Sequence, residues 1–399
     1  MPRSLLHDGP SASAATAPVL AKGFRPFFLL GALHAAIFMP LWVLALRGVL
    51  PFGGFFDATT THAHELLFGL TLAVIAGFLL TAVGNWTKKE TATGGVLAWL
   101  VALWLAGRIA VPLGSVLPRA VVAVAELAFL PALIVVLARP ILTTKNRRNY
   151  VMLGVLTVLS VADLAMVLEG MGVLRGVSHR ALTLSVDVVV TLIVVMSARV
   201  FPMFTRNVTK IQAIRNVPAL DRLTLAAALA WAGLDTALEG SAAAAVAAGA
   251  LLVAVVARSA TWGVWAGRRD PLIAVLHAGT AFLVLGLGLK AVSPLAPAVP
   301  PSAAVHALTV GVLALTMLGM MARVGLGHTG RSLAAPRSAV LGFALLGASA
   351  IVRVAGPFFP SALGTSYAVA GGLFSLAFVL FVIGYAGVLT SPRVDGKPG

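Results

Sequence analysis

Twelve runs of about twenty mostly apolar residues follow one another along the chain. They lie at 24–47, 62–84, 94–112, 119–138, 149–170, 181–200, 219–237, 241–263, 271–291, 303–324, 336–355 and 364–389. A helix rises 1.5 Å per residue, so about 20 such residues cross the hydrocarbon core of a bilayer. Polar clusters separate the runs, as in Asn85-Trp86-Thr87-Lys88-Lys89-Glu90 and Gly267-Arg268-Arg269-Asp270-Pro271. The seventh and eighth runs are divided only around Glu239-Gly240-Ser241. The pattern predicts an all-α fold: a polytopic membrane bundle of about twelve transmembrane helices.

Composition strengthens this reading. Of 399 residues, 59% are hydrophobic and 11% are charged. A soluble domain carries roughly 25% charged residues. Too few charges exist here to coat a water-facing surface, and the apolar content excludes disorder. The mean hydropathy is +1.00. Residues 24–390 are expected to form one integral membrane domain between cytoplasmic tails at 1–23 and 391–399. No apolar stretch typical of a cleaved signal peptide precedes the first run.

The net charge of +16 would suggest a nucleic acid partner in a soluble protein. Here it marks orientation. Seven of the 29 basic residues fall at odd-numbered loops: Arg47, Arg108, Arg119, Arg175, Arg180, Lys290 and Arg353. The others fall at the tails and even-numbered loops. The positive-inside rule then puts both termini in the cytoplasm, and no nucleic acid is needed to explain the charge.

The chain has no cysteine. Disulfides, thiolate nucleophiles, iron–sulfur clusters and covalently attached c-type haem are therefore excluded. Metal ligands must come from His, Met, carboxylate or backbone groups. Among the eight histidines, His7 falls in the tail, His34 inside the first run and His179 before the sixth. Thr61-His62-Ala63-His64-Glu65 opens the second run at the outer side, and His306 opens the tenth there. His277 and His328 lie toward the cytoplasm. His306 and His328 are 22 residues apart, about 33 Å along a helix, so they cannot share one metal. Two sites are expected, an outer one (His62, His64, His306) and an inner one (His277, His328).

Residues two apart on a helix point about 200° apart. His62 and His64 therefore share a metal only if the helix starts near His64; otherwise they face different partners. Glu65, Glu126, Asp163 and Asp187 map to outer halves of spans, where carboxylates serve either as proton paths or as hydrogen-bonded core groups. Arg323 and Arg331 bracket His328, and arginines there suit anionic haem propionates.

Several ordered blocks carry a family resemblance. They are Gly23-Phe24-Arg25-Pro26-Phe27-Phe28, His62-Ala63-His64-Glu65-Leu66-Leu67-Phe68-Gly69, Leu105-Ala106-Gly107-Arg108, and Arg199-Val200-Phe201-Pro202-Met203-Phe204-Thr205. Leu276-His277, His306-Ala307-Leu308-Thr309-Val310-Gly311 and Met321-Ala322-Arg323-Val324-Gly325-Leu326-Gly327-His328-Thr329-Gly330-Arg331 complete the set. Together they resemble the NnrS family of bacterial membrane proteins, apart from Gly84 where that family is expected to have Pro. The resemblance implies an inner-membrane protein with haem and copper, acting in nitric oxide metabolism or tolerance beside denitrification. It implies metal ligands at His62, His64, His277, His306 and His328, and Arg25, Arg108, Arg323 and Arg331 are expected near the cofactors. Without Cys-x-x-Cys-His, the haem would be b-type. Copper is expected at the outer histidines and haem at His277 or His328. Reduction of nitric oxide would require a respiratory electron donor. The competing reading is a secondary transporter of a small solute or metal ion, using the intramembrane histidines and carboxylates.

Overall fold

A computed structural model describes residues 17–50 and 54–397. His7 and most of the N-terminal tail, and the last two residues of the C-terminal tail, lie outside the described residues. Among the described residues there is no strand. Twelve helical segments follow the twelve apolar runs. They are α1 (Phe24–Leu46), α2 (Ala58–Thr87), α3 (Gly94–Ala110), α4 (Arg119–Thr143), α5 (Arg147–Gly170) and α6 (Ser178–Thr209). Then come α7 (Pro218–Ala237), α8 (Ala242–Trp262), α9 (Pro271–Val292), α10 (Pro301–His328), α11 (Arg337–Phe358) and α12 (Pro360–Thr390). Ten of these are long and apolar enough to cross a membrane by length and composition. The other two are α3, with 17 residues, and α7, which carries Asp221, Arg222 and Asp235.

Local chemistry sets the ends. The Asp57 side chain accepts from Thr59 N at 2.9 Å and Thr60 N at 3.0 Å, capping α2. Asp270 caps α9 through Ile273 N at 3.1 Å, with Pro271 in the first turn. The weak divider between the seventh and eighth runs is a real turn. Gly240 adopts φ of 75°, and Ser241 caps Ala244 N at 3.2 Å. The sixth run is longer than its apolar core suggests, because α6 continues through Phe201, Pro202 and Thr205 to Thr209.

The chain closes on itself, with α1 packed against α12 and α12 against α11. Arg25 Nη1 donates to Leu389 O at 3.0 Å and Ser391 O at 2.7 Å, joining the start of α1 to the end of α12. Both termini of the bundle therefore lie on one face, as an even number of spans requires. Inside the ring stand α2 and α10. Their most apolar stretches are 89% and 72% buried, against 33–56% for the other candidate spans. Each also contains a π-helical stretch, Glu65–Thr71 in α2 and Ala307–Ala314 in α10. Such wider turns shift the register of the side chains and are often found at functional sites.

Candidate functional site

Each π-helical stretch begins directly after a histidine, His64 in α2 and His306 in α10. His62 and His306 line the same cavity, of about 270 Å³, in the half of the bundle holding the odd-numbered loops. The His62 ring stacks on Trp42, with centroids 4.0 Å apart. Trp42 is fixed by its own bond from Nε1 to Ala58 O at 3.0 Å. His62 Nδ1 is buried without a hydrogen-bond partner. His306 Nδ1 donates to Ser302 O at 2.7 Å, one turn back on the same helix. That bond fixes the tautomer and leaves Nε2 as the lone-pair nitrogen. Arg353 stacks over Tyr367 at 4.5 Å in the same wall, and its Nη1 is buried without a partner.

A second polar group lines this cavity on the side of α6, α7 and α9. Lys290 Nζ lies 2.6 Å from Asp235 Oδ2 and 3.6 Å from Glu239 Oε1, and Glu239 Oε2 is 2.7 Å from His179 Nε2. Asp187 accepts from Thr236 Oγ1 at 3.2 Å and faces the cavity. The wall reaches the surface at His179, whose side chain is 76% exposed.

His64 does not join His62 and His306. The structure takes the second of the two open alternatives, and the two imidazoles face different partners. His64 is wholly buried, with Nε2 3.1 Å from Asp163 Oδ1 and 3.6 Å from Glu126 Oε1. Its Nδ1 lies 3.2 Å from Glu65 Oε1. Arg108 donates from Nη1 to Glu65 Oε1 at 2.7 Å and from Nη2 to the Glu126 carboxylate. His34 Nε2 sits 3.5 Å from Glu65 Oε2. Three of the four predicted carboxylates thus meet in one cluster built by α2, α3, α4 and α5, and only Asp187 is elsewhere. Arg108 is held by carboxylates rather than beside the cavity.

The inner histidines are also apart. Thr205 Oγ1 donates to Phe201 O at 2.9 Å, so it accepts from His277 Nε2 at 3.0 Å. His277 Nδ1 is left buried without a partner. His328 instead packs on Phe24, with ring centroids 5.7 Å apart. It lines a separate cavity of about 520 Å³ at the other end of the bundle, with Arg148, Arg199 and Trp86. Arg323 lies over the Phe204 ring at 3.8 Å. Arg323 and Arg331 each bury one Nη1 without a hydrogen-bond partner. Arg25 is engaged by the carbonyls at the end of α12.

Residues 18–393 match the family model described as NnrS protein. The chain belongs to the NnrS family. No curated protein sequence matches it. Among solved structures, this NnrS chain is similar to a heme-copper terminal oxidase dimer determined by cryo-EM, with a TM-score of 0.65 and 11% identity. The likeness covers 94% of this chain and 85% of that one. At such low identity the likeness is one of fold: an NnrS protein shares the helical membrane architecture of that oxidase.

Sequence reasoning found the ligand-type residues of the NnrS chain but missed their supports. Trp42, Lys290, Asp235, Arg353 and Tyr367 had no motif to mark them. His34 lies in an apolar run, and the only signal for it was an ionisable group placed deep in a span.

Proposed function

We propose that this protein is a haem-binding protein of the bacterial inner membrane, which binds nitric oxide and takes part in its removal, with His62 and His306 as the haem ligands. One observation carries the reading. Two imidazoles on the two innermost helices line a single cavity, His306 with its Nδ1 tied to Ser302 O and His62 with no hydrogen bond at Nδ1. Haem fits this site: the ligands are neutral-type imidazoles, the wall is mainly apolar, and Arg353 offers a buried cation to a haem carboxylate. With no Cys in the chain, the haem is held non-covalently, as a b-type haem. Copper fits this cavity less well, because His64, the third imidazole expected there, turns away. The family and the fold likeness support the same reading.

When bound, a haem supplies an iron that takes a diatomic ligand and changes oxidation state. The protein's part is to hold, release and protonate. His306 is anchored to Ser302 O, whereas His62 is held by stacking on Trp42 with no hydrogen bond at Nδ1. Were haem bound, His62 would be the less firmly anchored of its two ligands. Asp187 and the Lys290–Asp235 pair place exchangeable protons at the cavity. Turnover also calls on an electron donor in the membrane.

The visible spectrum of detergent-purified protein tests the reading. We expect a Soret band, lost in His306→Ala, and a shift when nitric oxide is added to the reduced form. A colourless protein would sink the haem reading and leave the transporter reading, for which the polar wall from His179 to Asp187 would be the solute path.

A further inference from the structure

The cluster around His64 plays no part in the haem reading, yet it is a fully enclosed polar group. His64, Glu65, Glu126, Asp163 and Arg108 are between 0% and 8% exposed. Three carboxylates, one guanidinium and one imidazole meet here, and each ring nitrogen of His64 has a carboxylate beside it. Ionisable groups gathered inside a membrane protein are held together by protons or by a bound cation.

The geometry points to a divalent transition-metal ion bound by His64 Nε2, Glu126 and Asp163. One ligand atom from each of these residues lies within 4.8 Å of the others. The imidazole nitrogen is 3.1 Å from Asp163 Oδ1 and 3.6 Å from Glu126 Oε1. A four-coordinate ion with bonds of about 2.0–2.1 Å sets its ligand atoms about 3.3 Å apart, between those two distances. The second layer is built as well. A metal-bound imidazole usually gives its other N–H to a carboxylate. His64 Nδ1 has Glu65 Oε1 at 3.2 Å, and Arg108 holds Glu65 and Glu126 together from behind. Glu65 Oε2 lies 3.5 Å from His34 Nε2, which extends this layer. One imidazole and two carboxylates form a nitrogen–oxygen ligand set with no soft donor. It suits Fe²⁺, Mn²⁺, Zn²⁺ or Cu²⁺ and disfavours Cu⁺.

The test needs no haem. Full-length protein in detergent is washed with chelator, dialysed against each of Mn²⁺, Fe²⁺, Zn²⁺ and Cu²⁺, and its metal is measured by elemental analysis. We expect one divalent ion per chain outside haem iron, with its identity giving the preferred metal. Asp163→Asn and Glu126→Gln should each weaken its binding by about tenfold or more. The copper-loaded form of the unaltered protein should show coupling to a single imidazole nitrogen by electron paramagnetic resonance, which avoids reliance on variants that fail to fold. Absence of any bound ion, full metal binding in both variants, or coupling to two or more nitrogens would each overturn the proposal. The Soret band is recorded on the same samples, so loss of the haem reading and loss of this site are told apart.

Discussion

At the residue scale, the two histidines of one short motif have been given unrelated surroundings. His62 and His64 are two positions apart and therefore project to opposite sides of α2, one to the cavity and one to the carboxylates. Their variants should behave differently. His62→Ala should remove or alter the haem spectrum while leaving the ion at His64 in place, and His64→Ala should do the reverse. Loss of both signals in both variants, read by absorbance and elemental analysis, would mean that the two sites are one. The neighbour of Arg108 gives a third prediction. A Cβ on Gly107 would stand 2.6 Å from Glu126 Oε2. Gly107→Ala should therefore destabilise the protein by about 1–3 kcal/mol through overpacking. A thermal midpoint equal to that of the unaltered chain would show that Glu126 moves aside freely.

At the element scale, α2 and α10 set the site. They are the most enclosed helices, and the π-helical stretch in each re-aims the side chains that follow the histidine. Their burial was not legible in hydropathy, which is high for all the spans and does not say which neighbours cover them. The closing of the ring is also a matter of elements. Arg25 donates twice to carbonyls at the end of α12, where the helix leaves acceptors without intrahelical partners. A hydrogen bond to a charged group contributes about 1.5–3 kcal/mol. Arg25→Ala should lower stability by about that amount, measured as the thermal midpoint in detergent. The family blocks make Arg25 a candidate cofactor residue, and its bonds also clasp the first helix to the last.

For the whole molecule, the prediction concerns orientation. The basic loops should face the cytoplasm, and the absence of cysteine makes this easy to measure. Trp265 is 78% exposed in the loop between α8 and α9, and Leu295 is 72% exposed in the loop between α9 and α10. A membrane-impermeant thiol reagent should label Leu295→Cys and spare Trp265→Cys in cells with a permeable outer membrane. The opposite pattern would invert the molecule and place the cavity of His62 and His306 on the cytoplasmic side. The same orientation turns the half of the bundle where His62, His306 and Asp187 lie away from the cytoplasm.

The sequence by itself determined the number of helices, their order and the residue types able to hold metal. These depend on run length, on charge between runs and on the missing cysteine, all of which are local. It also carried the family blocks, and so the histidines worth watching. Only the tertiary structure decided which of those histidines meet. His62 and His306 are 244 positions apart, and Asp163 comes to His64 from α5. Contacts of that kind depend on how helices rotate and pack, and side chains two residues apart on α2 end in different places because the helix turns 100° per residue. Of the carboxylates that the sequence left open between a proton path and hydrogen-bonded core groups, three gather around His64 for that reason, and Asp187 lies at the cavity.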